Sequence, residues 1–274
     1  MSLKWATGLP TIPARRADPL PRTLASLKAA GFDQPRLFVD GVKDVESWEA
    51  EFGLEVTCRH PALRIAGNWT LALYALYIRA PEAARFAIFQ DDFVPYQNLR
   101  LYLERCFYPE KGYLNLFTFR DNEPVIAGKP DGWYPSNQKG RGALALVFNR
   151  EAVLTLLTSA HMVGRPMTAD RGWQVVDGGI VDSMRKAGWR EYVHAPTLVK
   201  HTGDQISTKH KRNHYEEAKT FRGEDYDALS MTPDMPYPRR LGAAAYESYP
   251  EEQRARLVAD WESEMAAIRK AMAE

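Results

Sequence analysis

The sequence predicts an α/β protein whose sheet is covered by helices on both faces. Three observations lead there. Short, wholly apolar runs such as "RLFVD" (36–40) and "RFAIFQ" (85–90) alternate with amphipathic segments through the first half of the chain. Strands buried on both faces read as continuous apolar runs, and strand–helix alternation is the pattern of a parallel, doubly covered sheet. Polar groups also gather just past the ends of those runs, where sheets of this kind bind ligands. A Pro- and Arg-containing loop follows the first run, Asp40 ends the second, and Asp91 and Asp92 follow the fourth.

The elements follow in chain order. "KWATGLPTIPARR" (4–16) reads as a short strand running into a loop that carries Thr11, Pro13 and Arg15. Asp18 and Pro19 have the chemistry of an N-cap and a first helical residue. Leu20, Leu24 and Leu27 share a helical face that Gly31 ends. Residues 36–40 form a buried strand. Residues 44–53 form a helix closing at Gly53, and 54–60 form the next strand. A helix is expected over 68–80, with Asn68 near its start, then a strand over 85–90. Residues 113–119 and 143–148 read as strands. The stretch between them, 120–142, is rich in Gly, Pro and polar residues and carries Trp133 and Tyr134; long loops of that kind are commonly functional. Helices are expected over 150–160 and about 175–188, and two short strands in "YVHAP" and "TLVKH". A basic, polar stretch follows His201 and is expected to pack across the site. Ser248 and Glu251 have capping-box spacing. Leu257, Trp261, Met265, Ile268 and Met272 then form one face of a final helix, expected to pack on the body. The expected organisation is a main domain over 1–208, with a basic segment and helix over 209–274 packed on it.

Composition narrows the function. Net charge is +1 over 274 residues, so no global field gathers nucleic acid or an anionic membrane. Cys58 and Cys106 lack metal-type spacing and read as reduced thiols. No apolar run has membrane-spanning length and the first residues lack a signal peptide's apolar stretch, so a cytoplasmic protein is expected. Neither GxGxxG nor GxxxxGK[ST] occurs. His60, His161, His194, His210 and His214 form no ligand-spaced set.

The residues that can carry chemistry are few. Adjacent carboxylates repel, and on a strand they point to opposite faces. A chain keeps such a pair when a cation sits between them, or when one binds a ligand and the other does different work. Asp92 with His201, if brought to one sheet edge, would hold Mn²⁺ or Mg²⁺, ions that take one or two protein ligands with waters and phosphates. Asp177 opens a helix, a position that suits an N-cap and equally a general base facing a ligand. Asp182 lies on another face and reads as a solvated charge. Lys209, Lys211 and Arg212 form a basic run near His201 that could meet phosphates.

Together these motifs resemble the nucleotide-sugar-dependent glycosyltransferases with the GT-A fold, over about residues 4–208. The resemblance implies a mixed, Rossmann-like sheet. "QDD" (90–92) is similar to that family's EDD motif, which implies Asp92 on Mn²⁺ or Mg²⁺ and Asp91 near the donor ribose. Asp40 in "LFVDG" then reads the nucleotide base and Asn68 in "GNWTLAL" touches the nucleotide. Thr11, Pro13 and Arg15 complete the donor side. "VDGGIVDSMRKAGW" keeps the spacing from the family's catalytic base to a glycine before an aromatic residue, implying Asp177 as base and Gly188 in a turn. "HTG" implies His201 as a further metal or pyrophosphate ligand. The implied activity is metal-dependent, inverting transfer, hexosyltransferase in type, from a UDP-sugar or another nucleotide-sugar to a hydroxyl. Trp133 and Tyr134 would close over donor and acceptor. The acceptor is open among glycan, protein and modified nucleic acid. A metal-dependent nucleotidyltransferase and a nucleic-acid-binding or base-glycosylating protein are the alternatives.

Overall fold

The computed structural model describes residues 3–106, 108–140, 142–163, 176–202 and 218–231. The final amphipathic helix and most of the 209–274 region lie outside the described residues.

The chain runs β1 (Trp5–Thr11), α1 (Leu20–Ala29), β2 (Arg36–Asp40), α2 (Val45–Phe52), β3 (Val56–Arg59), α3 (Arg64–Arg79), β4 (Arg85–Phe89) and β5 (Phe93–Pro95). It continues through α4 (Leu99–Arg105), β6 (Gly112–Asn115), α5 (Glu123–Ile126), β7 (Gly132–Pro135), β8 (Ala145–Asn149), α6 (Arg150–Leu157), α7 (Ala160–Val163), α8 (Asp177–Lys186), β9 (Arg190–Ala195) and β10 (Val199–His201). Eight strands form one sheet in the order β3-β2-β1-β4-β8-β6-β9-β7, and β10 pairs with β5 in a separate ribbon.

The first half is parallel, as the alternation predicts: β1 pairs in parallel with β2 and β4, and β2 with β3. The sheet as a whole is mixed. Strand β8 runs antiparallel to both β4 and β6, and edge strand β7 runs antiparallel to β9. The sheet is thus mixed, as the resemblance implies, with its parallel part in the first half of the chain.

Period-two alternation divides the core into two layers. On one face Ala87 and Phe89 of β4 pack with Leu20 and Leu27 of α1, Trp48 of α2 and Tyr102 of α4. On the other, Phe86 and Ile88 pack with Trp69, Leu73 and Leu76 of α3, Val153 of α6 and Met184 of α8. Each such apolar side chain contributes on the order of 1.5–3 kcal/mol by leaving water. This double cover fixes β4 in the middle of the sheet and so fixes where its acidic end emerges.

Several boundaries differ from expectation for local reasons. Asp18 does not cap α1: the helix starts at Leu20, Pro19 is the flanking residue, and no side chain caps it. Pro21 in the first turn needs no hydrogen-bond partner for its nitrogen. Asp44, by contrast, accepts from the Ser47 amide at 3.0 Å and starts α2. Helix α3 begins at Arg64, four residues before Asn68, because its first amides are capped from another strand, as described below. Strand β6 stops at Asn115, whose side-chain oxygen accepts from the Phe117 amide at 3.1 Å and turns the chain. Residues 120–142 are no open loop, since they contain α5 and β7. Among the described residues no helix is long and apolar enough to cross a membrane.

Candidate active site at the carboxyl edge

The carboxyl ends of β1, β2, β3 and β4 lie side by side in register, with Thr11 beside Val39 and Asp40 beside Arg59. At this edge the buried acidic pair has a cation between its members. The Arg15 guanidinium, on a short 3-10 turn after β1, pairs with Asp91 and lies 2.6 Å from Asp92 Oδ2. Asp91 is 4% exposed and Asp92 2%. Thr11, the last residue of β1, donates its hydroxyl to Asp91 Oδ2 at 2.5 Å. Backbone support comes from α1, where the Thr23 hydroxyl donates to the carbonyls of Asp91 and Phe93 at 3.0 Å.

The β5–β10 ribbon brings the distant histidine to the same place. His201 lies opposite Phe93 in the antiparallel register, and the Thr202 amide donates to the Asp92 carbonyl at 2.7 Å. His201 Nε2 stands 3.3 Å from Asp92 Oδ2. Positions 92 and 201 thus converge, as the sequence reading requires.

The environment splits the two carboxylates. Burial pushes Asp91 up to about 6, with Arg15 drawing it down and the charge of Asp92 pushing it further up. Asp92 is buried as well, but the hydrogen bond and charge of His201, together with Arg15, hold it below the ordinary carboxylate range. Asp92 therefore stays ionised where Asp91 is the group that takes a proton. Against its own burial, Arg15 is held charged by both aspartates. With the His201 imidazole neutral, as a metal ligand has to be, two carboxylates against one guanidinium leave a net negative charge under burial.

That charge bears on whether a divalent ion fits. Among the described residues, Asp92 Oδ1 is buried without a hydrogen-bond partner. A buried, ionised carboxylate with one oxygen unserved is costly, and a cation bound to the carboxylate relieves it. Among the described residues no group of three or more His, Cys, Asp or Glu side chains is arranged to hold a metal. A site on Asp92 and His201 would therefore take its remaining ligands from water and phosphate, as Mg²⁺ and Mn²⁺ commonly do.

Other expected residues are placed differently. Asp40 is buried, and its two oxygens accept from the Leu63 and Arg64 amides at 2.7 Å each. It caps α3 from across the sheet edge instead of standing open to a base. Burial raises its pKa, and the two amides and Arg59 oppose that. Asn68 is also committed internally: it donates to the Phe38 carbonyl at 2.8 Å and accepts from Arg59 Nε at 2.8 Å. These contacts tie both side chains into the fold itself. Trp133 is fully buried in β7, edge-on to His194, and Tyr134 donates its hydroxyl to the Pro130 carbonyl at 3.0 Å. Neither belongs to a closing loop. Gln90 donates to the Ala143 carbonyl at 2.9 Å, and Pro13 opens the 3-10 turn that presents Arg15.

Helix α8 begins at Asp177 and ends before Gly188, whose φ of +81° suits glycine at that turn. The Asp177 side chain lies outside the described part of the structure, as do Lys209, Lys211 and Arg212. Asp182 is exposed and pairs with Arg185 at 3.2 Å, a solvated charge.

Sequence reasoning missed Thr23 and Arg59. Thr23 falls within the apolar stripe Leu20–Leu24–Leu27, and a hydroxyl on a core-facing helical stripe is a detectable signal. Arg59 ends β3 beside Asp40, and its buried Nη2 has no hydrogen-bond partner. The segment 218–231 packs on residues that follow β5. Phe221 stacks on Tyr96 with ring centres 4.7 Å apart, and Arg222 makes a two-pronged ion pair with Asp131 at 2.6 and 2.8 Å.

No protein-family model and no curated protein sequence matches the chain. Solved structures do. A crystal structure of GalNAc-T7 with UDP, GalNAc and Mn²⁺ is similar at 11% identity and a TM-score of 0.49, over 73% of this chain and 44% of that one. A putative glucose-1-phosphate thymidylyltransferase from Bacillus anthracis, in complex with a sucrose, is similar at 14% identity and a TM-score of 0.43, over 73% of this chain and 90% of that one. This chain thus spans less than half of the first of these proteins.

Proposed function

We propose that this chain is a metal-dependent, inverting glycosyltransferase of the hexosyltransferase type, moving a sugar from a nucleotide-sugar, UDP-linked in the first instance, to a hydroxyl acceptor. The observation that carries the reading is the buried Asp91–Asp92 pair at the end of β4, tied to Arg15 and joined by His201 from a remote strand. Asp92 and His201 would hold Mn²⁺ or Mg²⁺. When bound, the ion would offset the negative charge that grows on the leaving nucleoside diphosphate.

The chain's own groups do the rest. Asp91, oriented by Thr11 and Arg15, faces the donor ribose. Arg15 supplies a fixed positive charge beside the phosphates. Asp177 at the start of α8 takes the proton from the acceptor hydroxyl as that oxygen attacks the anomeric carbon. Attack from the face opposite the leaving group inverts the configuration. Lys209, Lys211 and Arg212 meet phosphates of the donor or of a charged acceptor, which keeps a modified nucleic acid among the acceptors beside glycan and protein.

Thermal melting with UDP and Mn²⁺ tests the reading. The expected result is a rise in melting temperature that needs both and is abolished in Asp92→Ala. Asp177→Asn should keep the rise and lose transfer. An unchanged rise in Asp92→Ala would remove the metal assignment. Release of pyrophosphate instead of nucleoside diphosphate would identify a nucleotidyltransferase.

A further inference from the structure

We propose that Arg15 and the divalent metal compete for the same oxygen of Asp92, so that Arg15 must leave Asp92 when the metal binds, and that the donor's diphosphate is what it leaves for. The inference rests on the metal-dependent reading above and deepens it.

All the partners of Asp92 crowd one oxygen. Arg15 lies 2.6 Å from Oδ2 and His201 Nε2 lies 3.3 Å from the same atom, while Oδ1 is buried without a partner. Oδ2 is the Asp92 oxygen that faces the imidazole, so an ion bridging Asp92 and His201 approaches the same oxygen that the guanidinium already contacts. Two positive centres on one oxygen repel, and burial weakens the screening that would soften this.

Charge counting points the same way. With His201 neutral as a metal ligand, Asp91 and Asp92 carry two negative charges and Arg15 one positive. A divalent ion added beside an unmoved Arg15 turns the buried cluster net positive. The same ion added as Arg15 departs leaves it neutral. The guanidinium cannot discharge by losing its proton, so it needs another anion. Phosphate oxygens match its planar fork. Arg15 is suited to the exchange: its backbone is fixed in a short 3-10 turn, while its long side chain is 13% exposed and so reaches solvent on one side.

The consequence is a coupling between metal and donor that runs through one side chain. Mn²⁺ alone binds weakly because Arg15 opposes it. Donor diphosphate tightens Mn²⁺ binding beyond what the nucleotide's own ligation contributes.

Mn²⁺ titrations followed by electron paramagnetic resonance test this on the full chain, with and without UDP and against a protein-free UDP·Mn²⁺ control. Arg15→Gln should bind Mn²⁺ alone roughly tenfold more tightly than wild type, and the tightening by UDP should shrink by a similar factor, within the usual range of coupling between sites. Should Arg15→Gln fail to fold, Arg15→Met removes the charge while keeping an unbranched stem, and should likewise bind Mn²⁺ roughly tenfold more tightly than wild type. Equal or weaker Mn²⁺ binding by these variants, with wild type binding Mn²⁺ in the presence of UDP, overturns the competition alone. No Mn²⁺ binding by any of the proteins, with or without UDP, overturns the metal-dependent reading as well.

Discussion

Replacing Thr11 with valine removes one hydroxyl and keeps the shape of the side chain. Thr11 is buried at the end of β1, and its hydroxyl donates to Asp91 Oδ2 at 2.5 Å. Among the described residues, Arg15 is the other side chain that donates to Asp91. Above its pKa of about 6, Asp91 is an ionised buried carboxylate, and losing a hydrogen bond to such a group costs about 1.5–3 kcal/mol. The Thr11 bond draws the Asp91 pKa down, so the variant's carboxyl titrates higher still. Below that range Asp91 is protonated in both proteins, and the variant lacks only a neutral hydrogen bond, about 0.5–1.5 kcal/mol. The penalty should therefore be largest near pH 8 and smaller near pH 5. Urea unfolding of both proteins at the two pH values measures it, with equal slopes required for the comparison. A loss under about 0.5 kcal/mol at pH 8, or a loss that grows on acidification, would refute the picture of Asp91 as a buried carboxylate held by Thr11.

Two more outcomes follow from buried groups away from the acidic pair. Asp40→Asn turns an amide donor toward one of the two backbone amides that the carboxylate now serves, and should cost about 1–3 kcal/mol by urea midpoint; an unaffected midpoint would deny Asp40 its capping role on α3. His194 is fully buried, accepting or donating at 2.6 Å to the Tyr102 hydroxyl, and burial pushes it down to about 4. Because the unfolded chain protonates more readily, the stability tied to neutral His194 is complete above about pH 6.5 and is lost as pH falls toward 4. Between pH 7 and pH 5 that loss is about 2 kcal/mol. Asp91, raised instead of lowered, has the opposite sign over about pH 4–6, so wild type alone shows a partial cancellation. The stability gap between wild type and His194→Gln should narrow by about 2 kcal/mol from pH 7 to pH 5, and a constant gap would refute the assignment.

The first half of the fold was legible because its signals are local. Four apolar runs with amphipathic segments between them yield β1 to β4 in parallel. The second half was less legible because its signals are not local. "GWYP" in β7 is four residues with a glycine and a proline, the composition of a turn, and it becomes a strand only by pairing with β9 at the sheet edge. The Trp133 indole looks the same in sequence whether it covers a sugar or fills a core. Burial against His194 decides it, and that contact joins residues 61 positions apart.

The same distinction divides the site. The acidic pair was legible because its problem is electrostatic and general: adjacent carboxylates at the end of a buried strand demand a cation, and Arg15 is one. Asp40 and Asn68 are harder to read because a polar side chain at a ligand-binding edge has two equivalent uses. It can face the ligand, or it can satisfy the backbone of the next element. Helix α3 has no side-chain cap of its own and begins on two amides that Asp40 serves. An edge that binds ligands also has to finish its own helices. At the start of α3, which lacks a local cap, both oxygens of Asp40 are engaged by backbone amides. Asp92, with one oxygen facing two cationic partners and the other without a hydrogen-bond partner among the described residues, is the carboxylate with capacity to spare.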